Sequence, residues 1–148
     1  MIRALALIAL FFVGCAGSPR IDAIAARARL VAFPHIIESN DGMWLVGIDL
    51  SGDGDAHTPP FDTPYALSFA IEPADGDRSN LADVTIVVDC TMPQHGHGMN
   101  VVPSVRRSGP GRFTARGFEL FMEGEWLLTI DITKGIYTER AQWWIEPQ

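Results

Sequence analysis

Two histidines and two methionines fall within one octapeptide, Met92-Pro93-Gln94-His95-Gly96-His97-Gly98-Met99. Thioether sulfur selects Cu(I), imidazole binds copper in either oxidation state, and neither suits calcium or magnesium. Gly96 and Gly98 free the backbone for a tight turn, and Pro93 restrains the approach to it. These types at this spacing predict a copper-holding loop at the end of a strand, with Met92, His95, His97 and Met99 as ligands. The same residues carry a second reading. Methionine fills irregular gaps in cores, and imidazoles lock loops by hydrogen bonding to backbone carbonyls. The octapeptide therefore also reads as a connector that packs against the end of the domain. Residue types alone leave both readings open.

Other reactive side chains point less far. Cys90 lies two residues before Met92, and its thiolate would be a strong Cu(I) ligand. Strand alternation puts it on one face with Ile86 and Val88, which predicts a buried, inert thiol. Met122, in a turn before Trp126, reads as core. Asp53, Asp55, Asp75 and Asp77 sit in turn-rich acidic loops that lack the twelve-residue calcium pattern and its closing Glu, so solvated turns are expected. His57, in the first of these loops, and His35 are expected at the surface. The chain has no Gly-x-Ser-x-Gly, no His-Glu-x-x-His and no phosphate loop, so no enzyme is expected. A Cys90–His95 pair is the one conceivable nucleophilic arrangement.

The elements that must hold these residues are short strands. The chain has 148 residues, 47% hydrophobic and 20% charged, with ten prolines and 14 glycines. That is enough for one globular domain, broken by many turns. Strands are predicted at 43–50, 65–72, 84–90, 101–105, 112–121, 126–132 and 136–145. Trp126, Leu128, Ile130 and Ile132 share one face, as do Tyr65, Leu67, Phe69 and Ile71. Between Arg112 and Phe121, simple alternation sets Phe113, Ala115 and Gly117 against Thr114, Arg116 and Phe118. About seven short strands at regular spacing predict an all-β, immunoglobulin-like antiparallel β-sandwich over residues 41–148. Its core is expected to include Trp44, Phe69, Ile86, Val88, Phe113, Trp126 and Ile130. Residues 15–40 read as a tether, in which 21–30 has helical propensity.

The first residues read as an export signal. Arg3 precedes an apolar run from Ala4 to Val13, and small residues follow. This run is too short to span a bilayer, which takes roughly 20 residues, and it fits a secretory signal peptide over 1–14. Phe12-Val13-Gly14-Cys15 resembles a lipobox, with Phe12 where Leu is usual. The resemblance implies lipidation of Cys15 and an extracytoplasmic lipoprotein, in the periplasm or at the cell surface, anchored to the membrane through its lipid. With Cys15 lipidated, Cys90 has no partner for a disulfide. A net charge of −7 and the lack of a basic stripe argue against a nucleic-acid partner.

From Val84 to Ile132 the chain resembles the YtkA-like domain family, small extracytoplasmic β-sandwiches related in style to FixH proteins. The matching features are an apolar strand before the Met92–Met99 octapeptide, then Val102-Pro103, then Gly109-Pro110-Gly111-Arg112-Phe113. Gly117-Phe118-Glu119-Leu120 and Met122-Glu123-Gly124-Glu125-Trp126 follow. The resemblance implies copper handling and an envelope or respiratory-oxidase-related protein partner. The expected function is thus a lipid-anchored extracytoplasmic binding module for copper. The alternative is a structural or protein-interaction module of an envelope complex that uses no metal.

Overall fold

The computed structural model describes residues 19–50, 59–79 and 81–147. Residues 1–14, read above as an export signal, and Cys15, Asp53, Asp55 and His57 lie outside the described residues. In chain order the elements are helix α1 (Pro19–Arg29) and strands β1 (His35–Glu38), β2 (Trp44–Asp49) and β3 (Tyr65–Pro73). A 3-10 turn (Leu81–Asp83) leads into β4 (Val84–Met92), β5 (His97–Gly98), β6 (Ser104–Gly109), β7 (Arg112–Phe118), β8 (Trp126–Lys134) and β9 (Tyr137–Ile145).

The strands form two antiparallel sheets, ordered β1-β2-β3-β7-β6 and β5-β4-β8-β9. Without the edge pieces β1 and β5, the orders β2-β3-β7-β6 and β4-β8-β9 are the ABED and CFG orders of an immunoglobulin sandwich. The all-β sandwich expected from the strand spacing is the observed fold.

Period-two patterning explains the packing. Along β8, Trp126, Leu128, Ile130 and Ile132 are buried while the residues between them are half-buried. They meet Val46, Ile48, Leu67, Phe69, Ile71 and Phe113 of the other sheet in one core cluster. The rings of Phe69 and Phe113 stack with centroids 5.4 Å apart. The expected core residues are all buried except Ile86, which packs half-buried against the cluster. Burying a large apolar side chain contributes roughly 1.5–3 kcal/mol, so this cluster is the main source of stability.

Simple alternation fails at the end of β7. Phe118 was expected to face outward with Thr114 and Arg116, yet it is fully buried. The register jumps between Tyr65 and Ala66, whose partners are Phe118 and Arg116, so Gly117 is the extra residue of a bulge. Its φ of +78° is a conformation that glycine adopts without steric cost. The bulge turns Phe118 inward, against the Tyr65 ring at 5.1 Å.

The domain also begins earlier than the expected boundary at 41, and the segment read as a tether is part of its body from Pro19 onward. β1 pairs with β2, setting Ile36 opposite Gly47 and Ile37 opposite Val46. Ala26 and Leu30 of the helical segment bury against Leu45 and Ala70, on the outer face of the five-stranded sheet. A helix this short is marginal alone and gains its stability from such packing. The Phe33 ring crosses Gly47 so closely that a Cβ there would lie 2.8 Å from it. Arg29 and Arg78 both reach one buried oxygen of Glu72, at 2.7 and 3.2 Å. His35, expected at the surface, is half-buried, with its ring 5.0 Å from that of Trp143.

Candidate functional site

The octapeptide closes a β-hairpin between β4 and β5. Thr91 lies opposite Gly98 and Met92 opposite His97. The His95 amide donates to the Met92 carbonyl at 3.0 Å, and the Met99 amide donates to the Cys90 carbonyl at 3.1 Å. Pro93 therefore holds the second position of a four-residue turn, where its fixed φ is favoured. Gly96 follows at φ +66°, the left-handed residue that lets the chain rejoin the ladder.

This register sorts the predicted ligands. Residues opposite one another in an antiparallel pair project from the same face, with Cβ atoms about 5 Å apart. Met92 and His97 therefore share a face, and Cys90 and Met99 continue it two positions along. Three of the four predicted ligands (Met92, His97 and Met99) come together on that face, and they differ in depth. Met92 is fully buried, and its terminal methyl lies 3.2 Å from where a Cβ on Gly124 would sit. Met99 is half-buried against the core, and His97 is exposed. His95 is exposed at the last corner of the turn, where strand alternation no longer sets its direction.

The surroundings are tied down. The Gln94 side-chain amide donates to the Glu125 carbonyl at 2.6 Å, fastening the hairpin to the turn before β8. The Trp126 indole N–H donates to the Met122 carbonyl at 2.9 Å, and the Phe121 ring meets Trp126 edge-on at 5.6 Å. Met122 packs half-buried against the core. Cys90 is fully buried, as alternation predicts. Burial first, and then the neighbouring Asp89 carboxylate, push its thiol well above the ordinary range. It stays protonated, unlike a reactive thiolate. Tyr65 is likewise shifted upward, chiefly by burial.

Among the described residues, no three His, Cys, Asp or Glu side chains come together as a metal-holding group. The second acidic loop is a pair of side-chain turns: Asp75 accepts from the Asp77 amide at 3.0 Å and Asp77 from the Ser79 amide at 2.9 Å. Hydrogen bonds from Ser79 hold the Asp77 carboxyl below its usual range.

One feature at the far end of the sandwich was not singled out in the sequence. Glu139 is only 4% exposed. Its Oε2 accepts from the Ser39 hydroxyl and, at 3.2 Å, from the Met43 amide. The Ser39 hydroxyl in turn accepts from the Trp44 amide at 3.0 Å. Glu139 Oε1 is buried and has no hydrogen-bond partner among the described residues. The signal was present in the last strand. Glu139, Ala141, Trp143 and Ile145 occupy alternate positions, which sets one carboxylate on an otherwise apolar face.

No protein-family profile, curated protein or solved structure matches the chain. Among the described residues, no helix is long and apolar enough to cross a membrane.

Proposed function

We propose that this protein is an extracytoplasmic, lipid-anchored binding module of YtkA-like type that holds or passes Cu(I) on the β4–β5 hairpin and makes no bonds itself. The observation that carries the reading is the hairpin register, which gathers His97, Met99 and Met92 on one face, with His95 in the adjoining turn. His97 and Met99 are the accessible pair. His95 completes the set from the turn, and Met92 backs it from below. A bound Cu(I) would supply a soft, exchangeable charge. The chain's part is to present neutral donors at the rim, where an incoming soft ligand can replace one of them. Attachment rests on lipid at Cys15, because a net charge of −7 is repelled by anionic headgroups. The fitting partner is a copper-receiving envelope protein, such as one that serves a respiratory oxidase.

The test is a Cu(I) titration of the purified protein against a competing chelator. One-to-one binding is expected, weakened at least tenfold in a His95→Ala/His97→Ala variant. Equal affinity in the two proteins would reject the site.

A second reading, an interaction module without metal, is favoured by the burial of Met92 and by the turn geometry of Pro93 and Gly96, which explain part of the octapeptide as packing. It predicts that the double alanine variant loses an envelope partner in a pull-down whether or not copper is present.

A further inference from the structure

The end of the sandwich opposite the hairpin shows apolar side chains to solvent. β8 and β9 are joined there by a two-residue turn between Lys134 and Tyr137. Gly135, at φ +62°, permits so short a turn and leaves Ile136 at its tip. Ile136 is 89% exposed and Tyr137 68%, and Met43, just before β2, is 50% exposed. With Trp44 and Ile132 these three line one cavity of about 440 Å³. Single exposed apolar side chains need no account, but a cluster of them around an apolar recess marks a contact surface.

The course of the chain says what covers it. Helix α1 enters at the same end. Asp22 lies against the turn after β3, with its Cβ 3.5 Å from where a Cβ on Gly76 would sit. Asp75 of that turn shares a recess with Met43, Trp44 and Lys134. Farther along, Arg29 reaches Glu72, and Leu30 packs on Leu45 and Ala70, so the helix runs from this end back along β3. Cys15 precedes Pro19 by four residues, which span at most about 14 Å. A lipid on Cys15 would hold this end of the sandwich, and not the hairpin, at the membrane.

We infer that the end bearing Met43, Ile136 and Tyr137 docks on a lipid bilayer surface, with Ile136 in the acyl boundary and the Tyr137 ring at headgroup level, where amphipathic rings settle. The inference rests on the lipid anchor proposed above, to which it adds an orientation. It stands the β4–β5 hairpin about 30 Å from that membrane, the length of the nine residues of β4, and turns it outward. Asp41, Asp75 and Asp77 are exposed around the docking end, so apolar burial drives the contact and headgroup charge does not.

The experiment places an environment-sensitive fluorescent amino acid at position 136 or, at the hairpin end, at position 102, where Val102 is 91% exposed. The full chain, extracted from membranes, is reconstituted in phosphatidylcholine vesicles with and without nitroxide-bearing lipid. At 136, emission is expected to move to shorter wavelength and to fall at least twofold with the nitroxide lipid, in dilute and in molar salt alike. At 102 neither change is expected. Water-like emission at 136, equal quenching at both positions, or quenching lost in molar salt would each overturn the inference. So would a shift at 136 without quenching, since a protein neighbour, such as a second copy, would then cover the patch. The mass of the N-terminal peptide reads the anchor separately. Lipid on Cys15 with position 136 in water overturns the docking alone, whereas quenching at 136 with Cys15 unmodified overturns the anchor and leaves the docking standing.

Discussion

The two ends of the four-stranded sheet follow opposite plans. At one, the β4–β5 hairpin sets two imidazoles in solvent above a thioether sunk in the core. At the other, the β8–β9 turn frames a carboxylate pinned by a hydroxyl and an amide. Nine residues of β4, rising about 3.3 Å each, separate them. Neutral donors near water cost the fold little and can exchange a ligand quickly. A buried charge has to be held by fixed donors, so its neighbours are committed before any ligand arrives. The contrast implies that the hairpin is tolerant of substitution outside its buried member and that the carboxylate end is not.

Met92 is where that contrast is easiest to break. Met92→Ala should cost about 2–5 kcal/mol, read from denaturant midpoints, because it empties a packed site beneath the hairpin. Met92→Leu keeps the volume and should cost less than about 1.5 kcal/mol. Copper affinity in the leucine variant then tells a ligand from a plug: unchanged affinity assigns Met92 to packing alone.

A smaller effect is expected from pH. The buried Cys90 thiol keeps its proton in the folded chain, whereas the unfolded chain loses it above about 8.5. Its contribution is complete below that pH and declines as pH rises, by up to about 1.4 kcal/mol per pH unit. Tyr65 acts in the same direction above about 10. Cys90→Ala should flatten the first part of the decline. An equally steep fall in the variant would show that other groups govern alkaline unfolding.

The smallest stability effect belongs to the exposed histidines. His95→Ala/His97→Ala should change stability by less than about 0.5 kcal/mol, measured by thermal unfolding without metal. A loss of several times that would mean the imidazoles hold the turn together, and the two ends would then differ less than their exposure suggests.

Much of this was legible along the chain, in places where patterning is local. The inward face of β8 follows from Trp126, Leu128, Ile130 and Ile132, and the burial of Cys90 follows from its phase with Val88. The hairpin turn is announced by Pro93 and Gly96. Phe118 was misjudged because a bulge at Gly117 resets the phase, and one residue of slip exchanges the faces. The docking of the helical segment and the strand β1 were missed for another reason. Adjacent apolar residues Leu45 and Val46 signal burial on both faces of β2, but they do not say which distant segment covers the outer one.

The sequence by itself determined the strand periods, the turn positions and the chemical types of the donors, since these depend on neighbours a few residues apart. Only the tertiary structure decided depth: that Met92 sinks under Gly124 while His97, on the same face, stays in water, and that Glu139 lies buried beside a cavity. Depth depends on what the opposing sheet and the connecting turns place overhead, and those contacts join residues as far apart as Ser39 and Glu139.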